Sequence, residues 1–246
     1  MKQAMIFAAG LGTRLRPLTD TMPKALVSVA GQPLLWHVIQ KLKTAGFERI
    51  VINVHHLAQQ IVDYVEANDR FGLDIRISDE TGQLLETGGG IRHALPLFDP
   101  TSPILIHNVD ILSNANLDTL YGLVSQSHPD ALLLVSHRTT KRYLLFDDQM
   151  RMQGWTNIET SEVRPSLTTQ FSPLAFHQLA FSGIHVLSPC LFPLFQDMPQ
   201  RFGIIDFYLK YCHQFAFMGH EQGDLRLFDV GKIGTLGEAE NFINTL

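Results

Sequence analysis

Residues 8–24 read AAGLGTRLRPLTDTMPK. The apolar run Ala4 to Ala9 leads into this stretch, short and unbroken, the pattern of a strand buried on both faces. Gly10 and Gly12 follow it, then Arg14, Arg16 and Lys24, with no acid before Asp20. A glycine turn at the end of a buried strand lets backbone amides approach an anion closely, because glycine lacks a Cβ. Arginine adds a bidentate donor for phosphate oxygens and lysine a compact point charge. The alternative is a surface loop with solvated basic side chains.

The bulk composition makes that basic loop stand out. The chain has 246 residues, 45% hydrophobic and 17% charged, and a net charge of −5. Such a chain is globular rather than disordered, and a net acidic molecule is not a general nucleic-acid binder. An anion site must therefore be local. Cys190 and Cys212 form no metal or redox motif and are expected to be reduced, buried thiols. Ala4 to Ala9 is too short for a signal-peptide core, and no run approaches a membrane span, so a cytoplasmic protein is expected.

Outward from the first strand, Pro33 can open a helix. Leu34, Leu35, Val38, Ile39 and Leu42 give that helix an apolar face, and Gly46 can end it. Arg49 to Val54 is a β-branched strand. Leu57, Ile61, Val62 and Val65 mark a second helix, and Leu73 to Ile77 a third strand. Gly89 to Leu95 reads as a loop turning into a helix. Ile104 to Ile106 is a buried strand running into His107-Asn108-Val109-Asp110. Alternation of this kind predicts a doubly wound, mostly parallel sheet, with ligand loops at the carboxyl ends of its strands. The second half is more mixed. Strands are expected at Ala131–Ser136, Tyr143–Phe146, Phe181–Leu187 and Leu225–Phe228, and helices at Ile204–Phe217 and Thr235–Ile243. Met150 to Gln170 reads as a polar hairpin or insertion.

Two common phosphate loops do not fit. The dinucleotide fingerprint needs a third glycine where Leu15 stands, and the strand-two terminus reads Asn53-Val54-His55 rather than offering an acid. No Gly-Lys-Ser/Thr of a P-loop occurs. What the stretch resembles is the G-x-G-T-R-[LM]-x-P-x-T…P-K signature of the sugar-1-phosphate nucleotidyltransferases, here Gly10 to Thr19 followed by Pro23-Lys24. The resemblance continues through Gly31-Gln32-Pro33-Leu34, Glu86 to Gly90, Asn108-Val109-Asp110, Phe181 to Ile184 and Phe228 to Gly231, in order along nearly the whole chain.

The resemblance implies a Rossmann-like α/β fold with a smaller, mixed sugar-binding lobe. It divides a single domain, 1–246, into a nucleotide-binding lobe, 1–115, and a sugar-phosphate lobe, 116–246. The implied reaction joins a nucleoside triphosphate, UTP or GTP, to a sugar-1-phosphate and releases pyrophosphate, with Mg²⁺ as cofactor and no nucleic-acid or membrane partner. Arg14 and Lys24 would contact the triphosphate, and Asp110 and Asp229 would hold the metal; a turn or N-cap aspartate is the plainer reading of either acid alone. Gly10, Leu11, Gly12, Thr13, Glu86, Gly88, Gly89, Gly90 and Asn108 would surround the nucleotide, with the three glycines as a base-contacting loop. Gly183 and Asn157 would approach the sugar. The short length and Leu85 to Ile91 favour a uridylyltransferase subgroup, with mannose-1-phosphate and heptose-1-phosphate guanylyltransferases as the alternative.

The family's V-E-K-P segment, which binds sugar and phosphate, has no counterpart here; Lys141, Arg142 and Asn157 are the candidates for related work. His107 is expected to be a packed histidine, His37 a surface one, and His55-His56 lacks partners for zinc. Trp36 and Trp155 are expected in core or pocket walls. Leu191 to Phe195 is an apolar run expected to hide in an interface between copies of the chain. A catalytically silent nucleotide-sugar-binding subunit, or a glycosyltransferase with a D-x-D motif, would be the competing classes. Retention of Arg14, Lys24 and both aspartates argues against the first, and Asn108-Val109-Asp110 in place of D-x-D against the second.

Overall fold

The structure is a computed structural model, and it describes residues 1–165 and 172–246. The first half comprises β1 (Gln3–Phe7), β2 (Ser28–Val29), β3 (Gln32–Pro33), α1 (Leu34–Thr44), β4 (Arg49–Val54), α2 (Ala58–Ala67), β5 (Asp74–Asp79), α3 (Glu86–Ala94), β6 (Ile104–Asn108) and β7 (Ile111–Ser113). Then come α4 (Leu117–Ser127), β8 (Ala131–Ser136), β9 (Arg142–Phe146), β10 (Met152–Asn157), β11 (Glu162–Arg164) and β12 (His177–Leu187). The chain ends with α5 (Ile204–Tyr211), β13 (Phe217–Glu221), β14 (Leu227–Asp229) and α6 (Leu236–Ile243).

Parallel strands β6, β1, β4 and β5 lie side by side. Their register puts Phe7 level with both Asn53 and Asn108, so the loops after β1, β4 and β6 leave the sheet at one height. The α/β architecture expected from the alternating pattern is thus present. It does not stop at β6. Strand β12 joins β6 antiparallel and carries β8 and β9, with β10, β11 and β13 beyond, so ten strands among the described residues form one continuous sheet.

Core packing follows the two faces of this sheet. One cluster packs Ala4, Ile6, Ile50 and Ile52 against α1 and takes in Ile184, Val186 and Ala239. The other packs Met5, Val51 and Ile106 against Phe195, Phe207, Tyr208 and Phe217. Alternate residues of β1 and β4 feed opposite clusters, as the period-two pleat requires. Each cluster draws on both halves of the chain.

Several boundaries differ from expectation. β1 ends at Phe7, freeing Ala8 and Ala9 for the loop. The helix expected over Ile204–Phe217 stops at Tyr211, and Phe217 begins β13, which pairs parallel with β8. The polar stretch after Met150 contains the hairpin β10–β11; positions 166–171 of that stretch lie outside the described residues. β14 is not in the main sheet but pairs with β7 in a two-stranded ribbon. Leu191, Phe192 and Phe195 are buried within the chain's own core, which removes the expected reason for an interface. Cys190 is exposed, its thiol 3.1 Å from an Asp130 carboxylate oxygen, while Cys212 is buried as expected. His37 is half-buried, with Nε2 2.9 Å from the Val29 carbonyl oxygen. Among the described residues no helix is long and apolar enough to cross a membrane.

His185 on β12 is enclosed by the sheet and α5, where its Nδ1 meets the Tyr208 hydroxyl. Burial pushes its pKa from 6.5 down to about 3. The folded imidazole therefore stays neutral where the unfolded one takes up a proton, so stability falls as pH drops below the unfolded value. The slope from this group is about 1.4 kcal/mol per pH unit until the folded pKa is reached. Urea unfolding of His185→Phe between about pH 6 and pH 4.5 is expected to show a slope shallower by that amount; an unchanged slope would mean the histidine is protonated in the fold.

Candidate functional site

The signature loop is shaped by its own side chains. Gly12 has φ +62°, and a Cβ there would lie 2.8 Å from Thr19 Cγ2 and 3.1 Å from Lys24 Cβ. The Gly12 carbonyl accepts from Leu15 N and from Thr19 Oγ1, each at 2.8 Å. Fully buried Leu15 pins the turn to the core. The spacing from Gly12 to Thr19 to Lys24 is thus a packing requirement: threonine and lysine close over a residue that can have neither a side chain nor a negative φ.

This loop walls a cavity of about 600 Å³ at the carboxyl ends of β1, β4, β5 and β6. Gly10, Leu11, Gly12, Thr13, Arg14 and Lys24 line it, with Glu86 at the start of α3, Asn108 at the end of β6 and Asp110 just beyond it. Lys24 Nζ forms an ion pair with Asp110 Oδ2. Asp229 stands next to Asp110 through the β7–β14 ribbon, where Val230 N donates to the Asp110 carbonyl at 2.9 Å. A Cβ at Gly231, which lines the cavity, would be 3.0 Å from Asp229 Oδ1 and 3.2 Å from both terminal nitrogens of Arg14. Arg14 and Asp229 therefore converge on one small residue. Burial pushes the Asp229 carboxyl above its usual range and the Asp110 charge adds to this, while Lys24, Arg14 and Arg138 oppose it.

The remaining expected residues lie elsewhere. Gly88, Gly89 and Gly90 form no loop; they are buried inside α3 and do not line the cavity. A Cβ on Gly88 would strike the Phe202 ring at 2.2 Å, and one on Gly89 the Gln200 carbonyl oxygen at 2.4 Å. Both backbone N–H groups donate to the Phe202 carbonyl, at 2.9 and 3.1 Å. The glycines let the segment before α5 dock flush on α3. Gly183 (φ +77°) sits under Asn108: a Cβ there would be 2.6 Å from Asn108 Nδ2, at the point where the pairing of β12 shifts register. Asn157 is buried at the end of β10, accepting from Glu159 N at 3.1 Å, away from the cavity lining. His107 is fully buried, with a pKa lowered to about 4 chiefly by desolvation.

Asn53 and Glu80 were not anticipated. Asn53 Oδ1 accepts from Ala8 N at 2.8 Å, tying the signature loop to β4, and its Nδ2 donates to Glu80 Oε1 at 2.8 Å. Glu80 lines the cavity although 3% exposed, and burial raises its carboxyl pKa against those hydrogen bonds. Gly90 makes room for both: its Cβ would lie 2.8 Å from Glu80 Oε1. An acid one residue past the third parallel strand was the available signal.

The family described as nucleotidyl transferase matches residues 3–143. The chain belongs to that family, as one of its sugar-1-phosphate nucleotidyltransferases. It is similar to the N-acetylmuramate alpha-1-phosphate uridylyltransferase of Caulobacter vibrioides, 35% identical over 76% of each chain. The enzyme of that name from Neisseria meningitidis serogroup B is 37% identical over 77% of each. The crystal structure of a UDP-glucose pyrophosphorylase complexed with UDP-glucose shares the fold, with a TM-score of 0.79 at 18% identity over all of this chain and 99% of that one.

The α3 contacts predict opposite signs for one kind of substitution. Gly89→Ala forces a methyl group against the Gln200 backbone oxygen and is expected to destabilise by about 1–3 kcal/mol. Gly122→Ala in α4, where the Cβ meets nothing closer than Gln126 Nε2 at 3.9 Å, is expected to stabilise by about 0.5–1 kcal/mol. Denaturant melts of both variants check this.

Proposed function

We propose that the chain transfers the uridylyl group of UTP to N-acetylmuramate α-1-phosphate, releasing pyrophosphate. The observation that carries the reaction type is the cavity in which Arg14, Lys24 and a glycine turn face a pair of adjoining aspartates. The similarity to two uridylyltransferases over three quarters of both chains supports the substrate pair. A phosphate oxygen of the sugar-1-phosphate attacks the α-phosphorus, a new P–O bond forms, and the α–β bridging bond breaks with its electrons leaving on pyrophosphate. Two polyanions must meet, so positioning and charge stabilisation carry the rate and no protein nucleophile is needed.

In this reading the turn from Gly10 to Thr13 presents amides to the triphosphate. Arg14 stabilises the departing pyrophosphate, and Lys24 reaches the α-phosphate by exchanging Asp110 for it. Asp110 and Asp229 offer the hard oxygen set that suits Mg²⁺, which takes one or two carboxylates and completes its shell with phosphates and water. Among the described residues no cluster of three or more His, Cys, Asp or Glu side chains that could hold a metal occurs. When bound there, Mg²⁺ would supply charge neutralisation at the phosphate oxygens.

Pyrophosphate release tests the proposal when UTP, GTP, CTP, ATP and dTTP are crossed with a panel of sugar-1-phosphates. UTP with N-acetylmuramate-1-phosphate is expected to be fastest; preference for GTP with mannose- or heptose-1-phosphate would overturn the substrate assignment. Silence across the panel, from folded protein, would favour a nucleotide-sugar-binding subunit. Chelation is expected to abolish turnover and Mg²⁺ to restore it. Asp110→Ala is expected to lower kcat by a hundredfold or more, on the order of other preorganised charge contacts; full activity of that variant in Mg²⁺ would remove Asp110 from the site.

A further inference from the structure

Asp110 and Asp229 are placed by a ribbon that lies outside the main sheet. Before Asp110 the chain is tied to that sheet: β6 pairs with β1 up to Asn108, and Val109 N donates to the Phe7 carbonyl at 3.2 Å. After Asp110 the chain leaves it. β7 pairs with β14 in a separate two-stranded sheet, with Ile111 level with Asp229 and Ser113 level with Leu227. The bond from Val230 N to the Asp110 carbonyl continues the same ladder. The ribbon therefore fixes the two acids relative to each other, and their place against the signature loop depends on what holds the ribbon.

Helix α1 lies behind it. Val38 and Lys41 of α1, Ile111, Leu112 and Ser113 of β7 and Ile243 of α6 line a second cavity, of about 750 Å³. Across such a space close packing does not press strand onto helix, so a long side chain must span the gap. Lys41 does this: its Nζ donates to the Ser113 carbonyl at 2.7 Å. Among the described residues no acid accompanies the ammonium; Asp118, at the same cavity, is paired with Lys2. Burial lowers the Lys41 pKa from 10.5 to about 8. An ammonium so placed destabilises the fold relative to an apolar side chain of equal length. What it gains is a hold on the strand that continues from Asp110.

We infer that Lys41 is a positioning residue for the reaction: by holding the Ser113 carbonyl it fixes the β7–β14 ribbon, and through the ribbon the Asp110 and Asp229 carboxylates, against the signature loop. Its role rests on the reading of that acid pair as the reacting centre. Lys41 itself lines the second cavity and not the one that the signature loop walls. The bond falls three residues past Asp110, about 10 Å along an extended strand. A tilt of the strand end released there is carried to both carboxylates, because the ladder couples β7 to β14. Misplacement of reacting groups by about 1 Å costs roughly a hundredfold in rate, so even a partial loosening shows in turnover.

Lys41→Met and Lys41→Arg test this, with Lys43→Met as a control on the same helix, where Lys43 Nζ donates to the Phe71 carbonyl at 2.6 Å instead. Lys41→Met is expected to lower kcat about tenfold, with KM for the sugar phosphate within about twofold of wild type. Its urea midpoint is expected to be no lower than that of wild type, since a buried charge is removed. Lys41→Arg, which still offers N–H donors to Ser113, is expected to recover to within about threefold of wild type. Lys43→Met is expected to keep the wild-type kcat. In hydrogen exchange without ligand, amides of residues 111–113 and 227–230 are expected to exchange about tenfold faster in Lys41→Met, while those of β1 and β4 keep wild-type rates. An unchanged kcat or unchanged ribbon exchange in Lys41→Met would overturn the inference. So would faster exchange throughout the sheet with a lowered urea midpoint, which would make the lysine a general support of the fold. If wild type turns over no pair of nucleotide and sugar phosphate, the proposed function fails, and ligand-free exchange alone decides: acceleration confined to the ribbon upholds Lys41 as the holder of the acid pair, and wild-type rates there overturn it.

Discussion

Two carboxylates held side by side set the terms for the rest of the site. Asp110 leaves the carboxyl end of β6, and the β7–β14 ribbon brings Asp229 beside it. Like charges at that range oppose each other, and desolvation of the Asp229 carboxyl raises the cost of ionising both. The fold answers from one direction. The signature loop crosses the sheet edge so that Lys24 reaches Asp110 while Arg14 meets Asp229 at Gly231. The loop must therefore be rigid, which explains why Gly12 lies clamped beneath Thr19 and Lys24 and why Asn53 ties Ala8 to the neighbouring strand.

That balance depends on the register of the parallel strands. Phe7, Asn53 and Asn108 lie level, so a one-residue slip would turn both asparagines to the opposite face and carry Asp110 away from Lys24. Strand β12 extends the constraint. Its glycine bulge lies against Asn108, and the same strand holds Arg138 through the Phe181 carbonyl. The cavity-lining strands β1, β4 and β6 and strand β12 are thus parts of one sheet, and their spacing is fixed by backbone pairing.

Where local pattern decides structure, it was legible in the sequence. Arg49–Val54 and Ala131–Ser136 are buried except at Arg49 and Ser136, with mostly branched or aliphatic side chains, and both strands have the expected bounds. The apolar stripe from Leu34 to Leu42 likewise marked α1. Nine of the expected site residues, from Gly10 to Asp110, line one cavity, because they follow strands that share an edge. What failed depends on contacts distant in sequence. Three successive glycines read as a loop, since glycine weakens a helix; in α3 that cost is offset by the close docking of Phe202 and the Gln200 backbone. Leu191 to Phe195 read as a surface run because its cover, α5 and the aromatic cluster around Phe207, lies later in the chain. The pairing of β14 with β7 leaves no local trace in either strand.

Glu80 shows how a buried acid can shape a cavity without belonging to the charged pair. Its carboxylate is held by Asn53 and by Leu85 N, in a space that the missing side chain of Gly90 leaves open. Burial favours its protonated form, yet both hydrogen bonds favour the carboxylate. A group so balanced is set into the wall by backbone and amide, so it cannot swing toward Lys24 or Arg14 and compete for them. The division of labour follows from burial: Asp110 and Asp229 face cations that an incoming polyanion can draw away, whereas Glu80 keeps partners that no ligand displaces. An acid that exchanges partners suits the reacting centre, and an acid that cannot suits the wall against which that centre is aligned.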